Sequence, residues 1–212
     1  FVAMSGGVDS SVSAVLLKKA GFDVVGVYMK QWSPEILGKE CIWKSERQDA
    51  MKAAMQIGIP FLTWDFSKEY EKYVGKYMID SYKKGITPNP DVMCNKIIKF
   101  GFFYDKAMKE GADFVATGHY ARISGNFQFP ISNFQKNSKF KIKKSKDFKL
   151  LKAKDKNKDQ TYFLYEIKKE QLGKILFPVG DLEKPEVRKL AKKFGLHNAQ
   201  KKDSQGVCFV GQ

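Results

Sequence analysis

Apolar and polar positions along the first half of the chain switch repeatedly between a strand-like and a helix-like pattern. Residues 1–4 form a short apolar stub. Residues 9–20 then carry Val12, Val15 and Leu16 at helical spacing before Gly21, where a helix C-cap is favoured. Residues 23–29 (DVVGVYM) are a near-continuous apolar run, as expected for a strand covered on both faces. Residues 31–43, with Pro34 and Gly38, read as a loop. Helical spacing returns at Ala50, Ala53, Ala54 and Ile57 and closes at Gly58. Residues 60–64 (PFLTW) predict the next strand, and 67–84 an amphipathic helix with Tyr70, Val74, Tyr77 and Met78 on one side. Residues 95–110 predict another helix, ended by Gly111, and 113–117 (DFVAT) a strand that leads into Gly118-His119. Strands alternating with helices predict an α/β fold, a doubly wound parallel sheet built from right-handed crossovers. Ligands in such sheets lie beyond the carboxyl ends of the strands.

Residues 124–149 break this rhythm. They gather Lys136, Lys139, Lys141, Lys143, Lys144, Lys146 and Lys149 among Asn, Ser and Phe. The segment reads as a solvated insertion between two strands, with an electrostatic arm for a phosphate backbone as the second reading. Regular pattern resumes at Leu150. Pro185 near the start of a run ended by Gly195 predicts a last helix. His197 after it reads as an ordinary surface histidine.

A chain of 212 residues suits one sizeable α/β domain and the beginning of a second. No apolar run approaches the ~20 residues that a membrane-spanning helix needs. The chain starts inside its first strand and stops at Cys208-Phe209-Val210-Gly211-Gln212, so a fragment of a longer protein is expected, and a trimmed leader stays open. The formal net charge is +15, which favours a polyanionic partner such as nucleic acid. Nearly all of it is lysine, since Arg47, Arg122 and Arg188 are the only arginines, and compositional bias accounts for part of the surplus. The three cysteines, Cys41, Cys94 and Cys208, are too few for a secreted disulfide framework, and with two histidines and no Cys-x-x-Cys no structural zinc site is expected.

Three segments carry candidate chemistry. The first is Ser5-Gly6-Gly7-Val8-Asp9-Ser10-Ser11, between the first strand and the first helix. A turn of this kind offers free backbone N–H groups at a helix N-terminus, where an anion is favoured. Gly6 and Gly7 let a phosphate approach the backbone, and Ser5, Ser10 and Ser11 add hydroxyls. The Gly-Lys-Ser/Thr ending of the Walker loop is absent. The second is Thr87-Pro88-Asn89-Pro90-Asp91-Val92-Met93-Cys94-Asn95. Two prolines predict a stiff extended loop, with Cys94 at the start of the next helix, where its thiolate is stabilised, and Asp91 upstream to take a proton or orient a substrate group. Cys94 reads equally well as a small packed hydrophobe. The third is Asp203-Ser204-Gln205-Gly206-Val207-Cys208-Phe209, whose cysteine follows a polar loop.

The order Ser-Gly-Gly-x-Asp-Ser resembles the pyrophosphate loop of the ATP pyrophosphatases. Together with Thr-Pro-Asn-Pro-Asp-x-x-Cys-Asn, Ala-Thr-Gly-His-Tyr, Asn-Lys-Asp-Gln-Thr-Tyr-Phe-Leu and Asp-Ser-x-Gly-x-Cys-Phe, it is similar to the tRNA-specific 2-thiouridylases over nearly the whole chain. The resemblance implies a Rossmann-like pyrophosphatase domain over 1–212, with 165–212 a helical extension toward a central domain. The family's further β-rich domains follow the Cys208 motif and lie beyond this chain. It also implies ATP, with Mg²⁺ as counterion, held by Ala3, Met4, Ser5, Gly6, Gly7, Val8, Asp9, Ser10 and Ser11. Asp9 would approach the metal, and Met29 and Gly118 would line the adenine and ribose side. Asn89, Pro90 and Asp91 would meet the target uridine of tRNA, and Lys158, Asp159 and Gln160 would contact tRNA nearby. Cys208 would carry a persulfide from a sulfur-donor protein and Cys94 would be its catalytic partner, with Cys41 a packed thiol. A cytoplasmic or organellar location is expected. Two other readings stand beside this one: another ATP pyrophosphatase, acting on a small molecule or thiolating tRNA elsewhere, and a basic RNA-binding module with a degenerate nucleotide site.

Overall fold

A computed structural model describes residues 1–32, 42–125 and 147–203. Five parallel strands form the main sheet in the order β3-β2-β1-β4-β7: β1 (Val2–Ala3), β2 (Gly26–Lys30), β3 (Phe61–Asp65), β4 (Val115–Ala116) and β7 (Ile175–Leu176). The pairing sets Val2 against Gly26 and Ala116, Val27 against Leu62, and Ala116 against Leu176. β1 therefore sits between β2 and β4. The chain leaves β1 toward one edge and returns to its other side, which makes the end of β1 a topological switch point.

Successive residues of a strand point to opposite faces, and each face has its own core. Val2, Tyr28, Ala116 and Leu176 pack with α1 (Val8–Lys19), α2 (Ile42–Ile57) and α7 (Lys184–Lys193). Ala3, Val27, Val115 and Ile175 pack on the other face with Trp64, Tyr70, Ile98 and Phe103. The elements there are α3 (Ser67–Tyr70), α4 (Lys76–Lys83), α5 (Pro90–Met93) and α6 (Tyr104–Lys109). The amphipathic run expected over 67–84 is helical to Lys83, with wider π-type turns at Glu71–Gly75. Tyr70, Val74 and Met78 are buried as the pattern requires. Similar π-type turns run through Cys94–Phe103 and join α5 to α6.

β1, β2 and β4 are shorter than the apolar runs that predicted them, whereas β3 keeps its length and moves on by one residue. The second strand covers Gly26–Lys30 where the pattern predicted 23–29, so it starts later and ends one residue further on. The hairpin β5 (Ala121–Ser124) with β6 (Lys149–Lys152) is antiparallel and separate from the main sheet. It brackets the lysine-rich segment, most of which lies outside the described residues, as do Cys41 and Cys208. Residues 165–212, expected as a helical extension, contribute β7 to the sheet and α7 to its face. Ile175–Leu176 is too short a strand for periodicity to separate from the turn that follows it.

Candidate active site

The loop between β1 and α1 lies at the switch point. Gly6 takes a left-handed backbone (φ +77°), and a Cβ there would stand 2.4 Å from the Glu46 carbonyl oxygen. Gly7 is the N-cap of α1 and makes no side-chain cap, so the first-turn N–H groups have no side-chain acceptor from that position. Ala3, Met4 and Val8 are buried, so at these positions only the backbone faces a ligand. Met29 near the end of β2 and Gly118 just past β4 come from the strands on either side of β1. Gly118 presses on the start of α1: a Cβ would lie 2.6 Å from the Ser10 amide nitrogen and 2.7 Å from the Asp9 carbonyl carbon.

The serines hydrogen-bond within the loop. The Ser10 and Ser11 hydroxyls donate to the Gly7 carbonyl (3.2 and 2.9 Å), and Ser5 N–H donates to Ser10 Oγ (3.2 Å). Ser11 is fully buried, and its hydroxyl braces the loop from inside. Ser5 alone of the three is exposed. Asn198 completes the brace. Its amide Nδ2 donates to the Gly6 and Gly7 carbonyls and to Ser11 Oγ at 3.0, 3.2 and 2.9 Å.

Asp9, expected to approach a metal ion, has partners from the chain itself. Lys184 Nζ lies 2.8 Å from both of its carboxylate oxygens, and the Tyr120 hydroxyl donates to Oδ1 at 2.9 Å. Burial, and then the Asp9 charge, push the Tyr120 hydroxyl well above its ordinary pKa, so it stays a donor. Among the described residues no three His, Cys, Asp or Glu side chains gather as a metal site. The donor set fits a polyphosphate at the loop better than it fits a metal held by protein. A magnesium ion here would depend on the nucleotide's own oxygens.

The segment around Cys94 corrects the expected helix boundary. The helix starts at Pro90, with Asn89 as its N-cap accepting from Val92 N–H at 3.1 Å. Proline suits N1, where its missing N–H has no helical partner, and Asn suits the cap. Cys94 therefore lies in the second turn, buried at 1% exposure, and not at the helix N-terminus. Gln31 Nε2, just past β2, lies 3.7 Å from Cys94 Sγ. Asp91, three residues before Cys94, shares its helix face, and the Cys94 N–H donates to the Asp91 carbonyl. The carboxyl ends of β1 and β2 thus bring the loop and Cys94 to the same edge of the sheet.

The Lys158-Asp159-Gln160 turn is tied into this region through its side chains. Asp159 accepts from Ala153 N–H and Thr161 Oγ1 (2.8 and 2.7 Å), and Gln160 Oε1 accepts from Tyr120 N–H (2.9 Å). Both carboxylate oxygens of Asp159 are thereby occupied, whereas Lys158 is exposed and reaches Asp203 at 2.8 Å. His119, in the Gly118-His119 motif, is buried between Phe100 and Phe177, with Thr117 Oγ1 2.7 Å from Nδ1. His197 is exposed, as expected, and hydrogen-bonds Gln56.

Sequence reasoning missed Lys184, Tyr120 and Asn198. Lys184 left one signal. It occupies the first position of α7, where a cation faces the positive end of the helix dipole. A local rule broken in this way points to a tertiary partner.

The family model described as the tRNA methyl transferase HUP domain matches residues 1–212. The chain belongs to this family. It is 48% identical over 211 residues to the tRNA-specific 2-thiouridylase MnmA of Staphylococcus aureus strain JH9, and equally to that of strain Newman. Each match covers 100% of this chain and 52% of the relative, so the chain spans about half the length of these curated relatives. The resemblance read from the motifs therefore stands. A solved structure of NMN synthetase from Francisella tularensis superposes with a TM-score of 0.53 at 18% identity, over 99% of this chain and 67% of that one. At that identity the likeness shows the shared HUP-type α/β fold alone.

Proposed function

We propose that this HUP domain is the ATP-pyrophosphatase and thiolation domain of a tRNA-uridine 2-sulfurtransferase. The observation that carries the reading is the open first turn of α1 at the sheet's switch point, with Cys94 at the same edge. The family description speaks of methyl transfer, whereas the relatives' names speak of 2-thiolation. A loop shaped for polyphosphate and a cysteine beside it suit the second chemistry. Methyl transfer needs neither.

In this reading ATP lies across the loop of residues 3–11, between Met29 and Gly118, with Mg²⁺ on its phosphates. The C2 oxygen of the wobble uridine in tRNAs for Lys, Glu and Gln attacks the α-phosphorus, and pyrophosphate leaves. A poor leaving group has become AMP. A persulfide on Cys208, loaded by a donor protein, supplies the sulfur by one of two routes. In the direct route the terminal sulfur attacks C2 and AMP departs, and the Cys94 thiolate then attacks Cys208 Sγ of the C2–S–S–Cys208 linkage, releasing the thiocarbonyl. In the other route the Cys94 thiolate attacks Cys208 Sγ first, and the sulfide released attacks C2 with loss of AMP. Either route leaves a Cys94–Cys208 disulfide, which a thiol reductant reopens. Asp91, three residues before Cys94, would move a proton there. Asn89 and Pro90 at the start of α5, with Lys158 on the exposed turn, present the surface for the anticodon loop, whose unpaired base leaves its stack at little cost. Asp159 and Gln160 act by holding that turn. The further β-rich domains and a cytoplasmic location belong to the same proposal. No described helix is long and apolar enough to cross a membrane.

The test uses the full-length gene product with a wobble-uridine tRNA, ATP, Mg²⁺ and a persulfide donor. Thiolated tRNA is read as retardation in a mercury-containing gel. The wild type is expected to thiolate, and Cys94→Ser and Cys208→Ser each to lose thiolation while still binding ATP. Thiolation that survives in either variant removes that cysteine from the mechanism.

A further inference from the structure

Three cations from two separate segments converge on one carboxylate beside the loop. Lys184 Nζ lies 2.7 Å from Asp203 Oδ1, Arg188 Nη2 2.9 Å from the same oxygen, and Lys158 Nζ 2.8 Å from Oδ2. Lys184 and Arg188 stand four residues apart on one face of α7, and Lys158 comes from the turn after β6. The turn and the helix are fixed to each other by Asp155. Its carboxylate accepts from the Lys184, Asn157 and Lys158 backbone N–H groups at 2.9, 2.9 and 3.2 Å. Lys184 also bonds Asp9, so the cation cluster adjoins the first turn of α1 directly.

The charge balance is tight. Lys158, Lys184 and Arg188 face Asp9, Asp155 and Asp203, and the group is neutral as it stands. A polyphosphate at the loop brings several negative charges, and a neutral group gives it nothing until one carboxylate withdraws. Asp9 is fixed in α1 and held by Tyr120, and Asp155 is occupied by backbone donors. Asp203 sits on irregular chain after α7, with its side chain partly exposed, as are those of Lys158 and Arg188. It is the carboxylate that can leave.

We propose that Lys158, Lys184 and Arg188 form a subsite for the outer phosphates of the bound nucleotide, and for the pyrophosphate it releases, with the Asp203 carboxylate as an internal anion that those phosphates displace. The proposal rests on the reading that ATP binds the loop after β1. It predicts an effect of unusual sign: removing the Asp203 charge strengthens binding.

The test measures binding of three probes to the full-length protein by calorimetry: inorganic pyrophosphate with Mg²⁺, an ATP analogue that resists cleavage between its α and β phosphates, and AMP. Asp203→Asn is expected to tighten pyrophosphate and analogue binding by about threefold or more, and Lys184→Met and Lys158→Met to weaken both by about tenfold. AMP, which lacks the outer phosphates, is expected to bind all variants within about twofold of wild type. Lys184→Arg is expected to regain part of the loss. Pyrophosphate binding that weakens or stays level in Asp203→Asn overturns the subsite, and assigns the cluster to bracing α7. Lys158→Met, at an exposed position, decides the matter if Asp203→Asn does not fold: unchanged pyrophosphate binding overturns the proposal whether or not tRNA binding weakens. If the wild type binds neither the ATP analogue nor AMP, the nucleotide reading itself has failed, an outcome distinct from AMP and analogue binding that the variants leave alike.

Discussion

Gly118 shows how one missing Cβ sets the site. Its α-carbon lies where any larger side chain would drive into the Ser10 amide. Gly118→Ala is expected to displace the start of α1, lowering the melting temperature and weakening ATP binding by about tenfold or more, read by calorimetry. His119, next to it, carries a different consequence. Burial, and then the neighbouring Lys99 ammonium, hold its pKa well below 6.5. The unfolded chain takes up a proton near pH 6.5 that the folded protein refuses. Stability is therefore full above that pH and falls as the pH drops below it. Urea denaturation at pH 5.5 and 7.5 is expected to show a lower midpoint at the acid pH, and a smaller difference in His119→Gln.

At the scale of elements, the helix after Pro88 and the brace from Asn198 matter most. Asn89→Ala removes the cap of α5 and is expected to cost about 1 kcal/mol in chemical denaturation, with thiolation reduced more than stability predicts because Asp91 and Cys94 ride on that helix. Asn198→Ala strips a donor from two loop carbonyls and from Ser11. It is expected to cost about 1–3 kcal/mol and to raise the KM for ATP, since the groups left unpaired are those that shape the loop. The helix boundary at Pro90 was readable in principle: Asn followed by Pro is a cap and a first position. The prolines suggested a stiff loop instead, because Pro88 does precede the helix in that role. The π-type turns at Glu71–Gly75 and Cys94–Phe103 leave no comparable mark, since a shift of one hydrogen bond hardly alters the apolar spacing.

Over the whole molecule, the parallel sheet and the position of the loop were legible because buried strands and Gly-closed helices repeat with a fixed alternation. The contacts that complete the site were not. Lys184 and Asn198 lie 175 and 187 residues from the Asp9 and Ser11 side chains they hold, and no local pattern encodes a pairing across that distance. For Cys94 the sequence left a packed thiol and a reactive one equally open, and its burial at 1% exposure agrees with the first without excluding the second. We propose that this domain splits ATP at its α-phosphorus to activate a tRNA base. The most direct measurement follows labelled ATP with the full-length protein, tRNA, Mg²⁺ and a persulfide donor, and identifies the nucleotide released. AMP and pyrophosphate are expected to form in step with thiolated tRNA. Release of ADP, or thiolation without AMP, would contradict it.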